Sequence, residues 1–489
     1  MISIEIKGKR FDLSENTAFS FSAENPFLAM GFIPGPVVYQ AEGTISEENR
    51  LITEFAEQLS NTDRKVKIED VLIYIGGIVW RKGVMKLKSA GKTGYVFSFF
   101  SDAGDAKSKI ENLRLSDLPL ETGVTVDDQS DDYYPTAKHV FFPVYNPDFY
   151  GTKNDDYVGY QNYYHGGSFA TNGATNKYTK TPFIYALYVL EECFKLMGYP
   201  QISGDILTDE DAQRQTVFNT NSLDELDGSG LNVMQTTFNY SEHLPDVSID
   251  TFVIDTCLTL GVVPLFDAKA KAVELVSFTD YFTDKTAKDW IDKVSEENEI
   301  TPNEYDGVNF VMATDSKDKA LEQNADWLEY KVGNGKEEMK INASPLQVEQ
   351  IEDPENTKTW TIPQASMAGN SPAFEQVNRN KALRFIYFKG NPNDSQANPY
   401  PQGHWQGVNV DLRWEGINGL VAQRFQKWVD FKAQAEMVSF EADIELLDLL
   451  NFSFKDKLMA YYLRFIVADY SAEVGTDGLS PMQLNCWRF

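Results

Sequence analysis

Alternation with a period of two runs through the first 120 residues and points them toward strands. Ile2, Ile4 and Ile6 are separated by polar residues, and the same rhythm returns in Val66-Lys-Ile-Glu and Val71-Leu-Ile-Tyr-Ile. It continues through Gly76-Gly-Ile-Val-Trp80-Arg-Lys-Gly83, Val84-Met-Lys-Leu-Lys and Tyr95-Val-Phe-Ser-Phe-Phe100. Successive side chains of a strand point to opposite faces, so such runs bury one face and leave the other to solvent. Glycines and Lys-Gly pairs punctuate the runs, a spacing that suits a meander or a small barrel. A modest helix or irregular stretch and a second helical candidate interrupt them. Glu47 to Leu59 has Leu51, Ile52, Phe55 and Leu59 as its apolar residues, and Ala106 to Leu118 places Ile110 and Leu113 on one side.

Beyond residue 120 the texture changes. Residues 121–180 carry Asp127, Asp128, Asp131, Asp132, Asp155 and Asp156, and eight of the 24 tyrosines fall between Tyr133 and Tyr164. Gly, Asn and Pro break any regular spacing, and two readings stand side by side: an exposed insertion or inter-domain arm, or a loop whose rings pack on its own domain. In the first reading Tyr133, Tyr134, Tyr157, Tyr160, Tyr163 and Tyr164 form a contact surface for a neighbouring subunit. Residues 181–300 read as helix plus hairpin. Thr181–Met197 is a helix with Pro182 in its first turn and Gly198 and Pro200 ending it. Ser248 caps a second helix that Gly261 closes, and strands Val262–Phe266 and Ala272–Phe278 follow around a turn. Trp290–Glu299 looks helical and acidic.

From residue 301 to 489, strands are expected at Gly307–Ala313, Leu328–Val332, Ala382–Lys389, Val408–Trp414, Met437–Ile444, Leu458–Asp469 and Pro481–Phe489. A helix over residues 418–433 turns Leu420, Val421, Phe425, Trp428 and Val429 inward, Gln350–Pro372 is loop-rich, and Gly390–Gly403 is a polar loop. The expected class is therefore α+β and β-rich: several small barrel or sheet domains with packed helices, divided at 1–120, 121–180, 181–300 and 301–489.

The 64 Phe, Tyr and Trp residues exclude disorder as the main state. A formal charge of -29, from 44 Lys+Arg against 73 Asp+Glu, opposes stable binding of a phosphate backbone but leaves transient passage of DNA open. Cys193, Cys257 and Cys486 are far apart, form no CxxC pair and read as small buried apolar residues. His139, His165, His243 and His404 each lack a second ligand at metal-binding spacing and read as surface or loop residues. Nucleophile elbows and phosphate-binding loops do not occur. Acid pairs such as Asp131/Asp132 are expected by chance among 73 acids, and the Asp127–Asp132 cluster lacks the alternating acids and central Gly of a calcium loop. No catalytic residue, cofactor or metal is therefore expected. The opening residues contain no apolar run of leader length, and no stretch reaches the roughly 18–20 uncharged residues of a membrane span, so a soluble chain made in a cytoplasm is expected.

The order of parts resembles the tail hub proteins of phages and prophages of Bacteroidetes. The likeness is carried by Ile78-Val-Trp80-Arg-Lys-Gly-Val-Met-Lys-Leu87, Tyr95-Val-Phe-Ser-Phe-Phe-Ser-Asp and Lys109-Ile-Glu-Asn-Leu-Arg-Leu-Ser-Asp-Leu118. It continues in Leu244-Pro-Asp-Val-Ser-Ile, Gly261-Val-Val-Pro-Leu-Phe-Asp and Val273-Glu-Leu-Val, and closes with Gly419 to Trp428, Val438-Ser-Phe-Glu-Ala-Asp-Ile and Leu446-Leu-Asp-Leu-Leu-Asn-Phe. The resemblance implies a virion structural protein of the baseplate or tail tip. Its copies, commonly three, would form a ring between the tail tube and distal spike or fibre proteins, and the ring would line the channel through which DNA is ejected. The Tyr-rich insertion has no counterpart in that pattern. A contractile injection machine built on the same parts is a neighbouring reading. A glycan-binding surface module stacking sugars on Tyr157, Tyr160, Tyr163 and Tyr164 is the runner-up from another class, and an acid-base glycan hydrolase the third.

Overall fold

In the computed structural model, strand outweighs helix about two to one and the sheets curl into half-barrels, an α+β, β-rich fold as the alternation predicts. The structure describes residues 2–489 except 16, 29–36, 62–66, 128–131, 152–155, 166–167, 171–176, 229–231, 315–317, 323–324, 353–358, 371–380, 391–408 and 476–477. The polar loop expected at 390–403, the start of the strand expected at 408–414, His404, Asp128, Asp131 and Asp155 thus lie outside the described residues, apart from Gly390 itself.

The largest sheet joins both ends of the chain. Its early strands are β1 (Ile2–Ile6), β2 (Lys9–Phe11), β3 (Phe19–Glu24), β4 (Val37–Gly43), β5 (Lys67–Ile75), β6 (Ile78–Gly91) and β7 (Gly94–Ser101). Four more come from far downstream: β8 (Val294–Thr301), β9 (Met437–Ala442), β10 (Leu463–Gly475) and β11 (Met482–Arg488). The spatial order is β2-β1-β5-β6-β7-β4-β3-β10-β11-β9-β8, with three short strands branching off. The join is antiparallel, Phe19 opposite Val474 and Glu24 opposite Asp469. A bridge between Leu13 and Gly43 brings the chain just past β2 against β4, so the early strands curl on themselves. The inward face is aromatic and aliphatic: Trp80 is fully buried, with Phe21 edge-on at 5.0 Å, and Tyr470 from β10 meets Phe21 at 6.1 Å.

Residues between the two halves of this sheet build a second core. Helix α1 (Ala186–Leu196) and helix α2 (Ile249–Leu260) pack together in it, and α2 leads directly into an antiparallel hairpin, Val262–Asp267 with Ala272–Ser277. Ser248 is the N-cap of α2, though its hydroxyl meets Thr251 Oγ1 at 2.8 Å and no backbone N–H. Packing therefore groups residues near both termini into one unit and much of the chain between them into another.

Several elements differ from expectation, each for a physical reason. The helix expected from Thr181 begins at Ala186, because Phe183–Tyr185 is a strand between His139–Val140 and Gln215–Val217. All three residues are buried, so the apolar run has no period to distinguish strand from helix. Trp290–Glu299 is one short 3-10 turn followed by β8, a terminal strand whose charged side chains stay in water. Within the stretch expected to be loop, Gln347–Glu352 pairs antiparallel with Thr359–Gln364. Residues 409–414 make bends and a single bridge where a strand was expected.

Candidate functional surface

The outward face of the long sheet follows from the same alternation. Phe19, Phe21 and Ala23 point inward on β3, so Ser20, Ser22 and Glu24 point out. Cross-strand register sets Ser20 opposite Glu473, Ser22 opposite Ser471 and Glu24 opposite Asp469. Register then continues the rows from Ser471 to Gln483 and Glu441, and from Asp469 to Asn485, Ser439 and Glu299. The side chains tie into ladders across the strands. Asn485 Nδ2 donates to Asp469 Oδ1 at 2.7 Å, Ser439 Oγ to Asn485 Oδ1 at 2.7 Å, and Gln483 Nε2 to Glu441 Oε1 at 2.5 Å. Carboxylates recur on this face at Glu24, Glu299, Glu441, Asp469 and Glu473, while the segments 20–24, 439–441, 469–473 and 483–485 contain no Lys or Arg. A shallow concavity of about 690 Å³ opens over Ser20, Ser22, Glu441, Ser471, Glu473 and Gln483. Such a face is rich in acceptors, poor in cations and hydrogen-bonded to itself, and it repels a phosphate backbone.

The six tyrosines singled out from the sequence pack largely against their own chain. Arg214 covers Tyr133, with its guanidinium carbon 4.3 Å from the ring centre, and Tyr134 lies 6.4 Å from Tyr188 on α1. Tyr157 is edge-on to Tyr150 at 4.8 Å, and burial pushes its hydroxyl well above the usual range. Tyr160 and Tyr163 are each 1% exposed; Tyr163 stacks on Tyr178 at 5.6 Å, and Tyr160 sits edge-on to Tyr145 at 5.1 Å. Tyr164 is half-buried, edge-on to Phe169 at 4.8 Å. Tyr157, Tyr160 and Tyr163 thus have neighbours on their rings where a sugar stack would need open faces. The stretch around them is also hydrogen-bonded into the middle unit, Val144–Tyr145 pairing with Tyr160–Gln161 and with Gln364.

Two histidines lie inside the protein, not at a surface or in a free loop. His139 Nδ1 is 2.9 Å from the Tyr240 hydroxyl, and burial lowers the imidazole's pKa to about 4. His243 is buried with Nδ1 2.9 Å from the carbonyl of Asn221. All three cysteines are buried free thiols. Among the described residues no group of three or more His, Cys, Asp or Glu is placed to hold a metal ion. Nor is any helix there long and apolar enough to cross a membrane.

Sequence reasoning missed a buried polar lattice in the middle unit. Asn162 Nδ2 donates to the carbonyls of Phe142 and Thr181 at 3.0 and 2.8 Å, and its Oδ1 accepts the Thr181 N–H at 2.7 Å. Gln161 reaches Thr181 and Asn219, and Asp224 accepts from Tyr150 at 2.6 Å and Thr179 at 2.9 Å. Asp211, 2% exposed, accepts the N–H groups of Asn409 and Val410. Asn, Gln and Asp in an aperiodic stretch look like loop, so nothing short of the fold reveals these bonds.

The chain matches no protein-family model and no curated protein sequence. Among solved structures it is similar to the 43 kDa tail protein of prophage MuSo2 from Shewanella oneidensis, at 9% identity and a TM-score of 0.38, covering 99% of this chain and 95% of that one. A tail protein from Neisseria meningitidis MC58 gives 7% identity and 0.38 over the same shares. The c3393 protein of E. coli gives 6% and 0.31, covering 99% of this chain and 76% of its own; it is described as a component of the type VI secretion system with structural similarity to the T4 bacteriophage tail proteins gp27 and gp5. TM-scores this far below 0.5 leave all three as loose likenesses.

Proposed function

We propose that the chain is a structural subunit of a phage tail, a hub at the baseplate or tail tip that resides in the virion. In this reading its copies close into a ring, three being the expected number, between the tail tube and distal spike or fibre proteins. The observation that carries the proposal is the acid-rich face of the long sheet, where Glu24, Glu441, Asp469 and Glu473 are interspersed with Ser, Gln and Asn and no cation. A curled sheet of this kind makes a suitable channel wall: DNA passing it meets hydrogen-bond acceptors and like charge, and is not held. The reading assigns the chain no covalent chemistry and no cofactor.

The test is light scattering of the purified chain followed by imaging of the assembled particle. A closed ring with the face bearing Ser20, Ser471 and Gln483 turned toward the lumen is expected. A chain that stays monomeric at high concentration, or a ring whose lumen is neutral or basic with this face outside, would overturn it.

A further inference from the structure

The strand order of the long sheet runs from a basic end at β2 to an acidic edge at β8. At one end, the β1–β2 hairpin turns at Lys7-Gly8 and carries Lys7, Lys9 and Arg10, all exposed. Ile6 is opposite Val71 and Val71 opposite Gly83, so β6, an interior strand, runs on from that level toward Lys88 and Lys92, two more exposed cations at the same strand tips as the Lys7-Gly8 turn. Their neighbours Lys67, Lys82 and Lys86 already face Glu69, Asp70 and Glu111 at 3.4, 3.2 and 3.5 Å. At the other end of the strand order, β8 exposes Glu296, Glu297 and Glu299, with exposed Glu304 and Asp306 just beyond. The sequence has no Lys or Arg between Lys293 and Lys317.

This polarity reflects how charge is distributed along the whole chain. Residues 1–120 hold 15 cationic and 16 acidic residues, leaving 29 against 57 for residues 121–489, so nearly all of the acid excess lies outside the early strands. Edge strands are commonly guarded by charge. Here the guard discriminates: two β8 edges repel each other, two basic ends repel each other, and only unlike ends attract.

We infer that β8 is the docking edge for the basic β1–β2 end of a second copy of this chain, held head to tail by Lys7, Lys9 and Arg10 against Glu296, Glu297 and Glu299. Because β2 and β8 are the first and last strands of the sheet, the contact is heterologous, and repeated around an axis it closes a ring. The inference rests on the ring reading above and names the surfaces that make the ring.

The test uses two triple reversals, K7E/K9E/R10E and E296K/E297K/E299K, in light scattering over a concentration series at ordinary and at roughly 1 M salt, where the screening length falls to about 3 Å. The wild type self-associates and loosens in high salt. Each reversal weakens association about 100-fold, the six-fold combination restores it, and mixing the two reversed chains gives a mixed oligomer. All six positions are exposed, and unchanged circular dichroism verifies folding. Wild-type rings indifferent to both reversals would overturn this edge assignment and leave the ring reading standing; a wild type that never associates would overturn both. Duplex DNA bound at Lys7, Lys9 and Arg10, with association unaffected by their reversal, would also overturn it.

Discussion

The two large cores are filled with different chemistry. In the terminal unit, Ile73, Trp80, Phe97, Phe99, Phe465 and Leu484 make a nearly continuous apolar interior. The middle unit is richer still in aromatic rings, but Gln161, Asn162, Thr181, Asp211, Asp224, Asp255 and Arg384 are buried among them. An apolar core gains stability in proportion to the area it removes from water and tolerates changes of shape. A buried polar lattice adds little net stability per bond, yet each orphaned partner is costly, so it specifies one arrangement sharply. The first unit should therefore respond to lost volume, and the second to lost hydrogen bonds and to pH.

The largest expected effect tests the apolar side. Trp80→Ala removes the terminal unit's largest fully buried side chain and its contact with Phe21, and should destabilise that unit by about 4 kcal/mol in denaturant titration, with no change in pH dependence. A loss below about 1 kcal/mol would mean that this interior is loosely filled. On the polar side, Asn162→Ala deletes three buried hydrogen bonds and leaves an alanine at a φ of 55°. A loss of roughly 3 kcal/mol is expected, nearly matching Trp80→Ala although far less apolar area is removed. If the cost instead follows area alone, the contrast between the cores fails.

Asp255 supplies the pH arm. It is fully buried on α2, accepts the Asn342 N–H at 3.0 Å, and burial raises its pKa to about 7. The folded state thus holds a proton that the unfolded chain, with a value near 3.9, releases earlier. The stabilisation is complete below about pH 4 and is lost as pH rises toward 7. Asp255→Asn keeps an acceptor and cannot ionise, so its stability relative to wild type should grow by on the order of 2 kcal/mol between about pH 5 and 8. A gap that does not vary with pH would show that Asp255 is charged in the fold throughout.

Legibility in the sequence followed the same divide. Where one face is apolar and the other wet, as in Ile2-Ser-Ile-Glu-Ile and Val71-Leu-Ile-Tyr-Ile, alternation alone identifies strand and inward face. Helix α2 announced itself through Ser248 and Gly261. The partner of β3 did not, because nothing local in Phe19–Glu24 points to residues 469–474 at the far end of the chain. The acid-rich face was half legible: its residues are the polar members of alternating strands, but their assembly into one surface depends on that long-range pairing. The buried amides were not legible, since Asn162 and Gln161 have the composition of a loop.

A hairpin hidden inside an expected strand carries the smallest test. Leu458–Asp469 read as continuous, yet Lys457–Ala460 pairs back on β10 with Ala460 opposite Leu463, leaving Tyr461-Tyr462 as a two-residue turn. Both tyrosines have positive φ, 48° and 62°, where such turns ordinarily carry Asn or Gly. Gly76-Gly77 makes the equivalent turn between β5 and β6 with φ of 60° and 82° at no steric cost. Tyr461 is anchored by its hydroxyl on the Ser295 carbonyl at 2.6 Å, whereas Tyr462 is 82% exposed. Tyr462→Gly should therefore relieve strain without losing packing and stabilise the terminal unit by at most about 1 kcal/mol, while Gly77→Ala should cost about that much. Since Tyr462 does nothing for the monomer's core, a loss of assembly in Tyr462→Gly with the monomer's stability unimpaired would show that the strained turn presents this ring to another subunit.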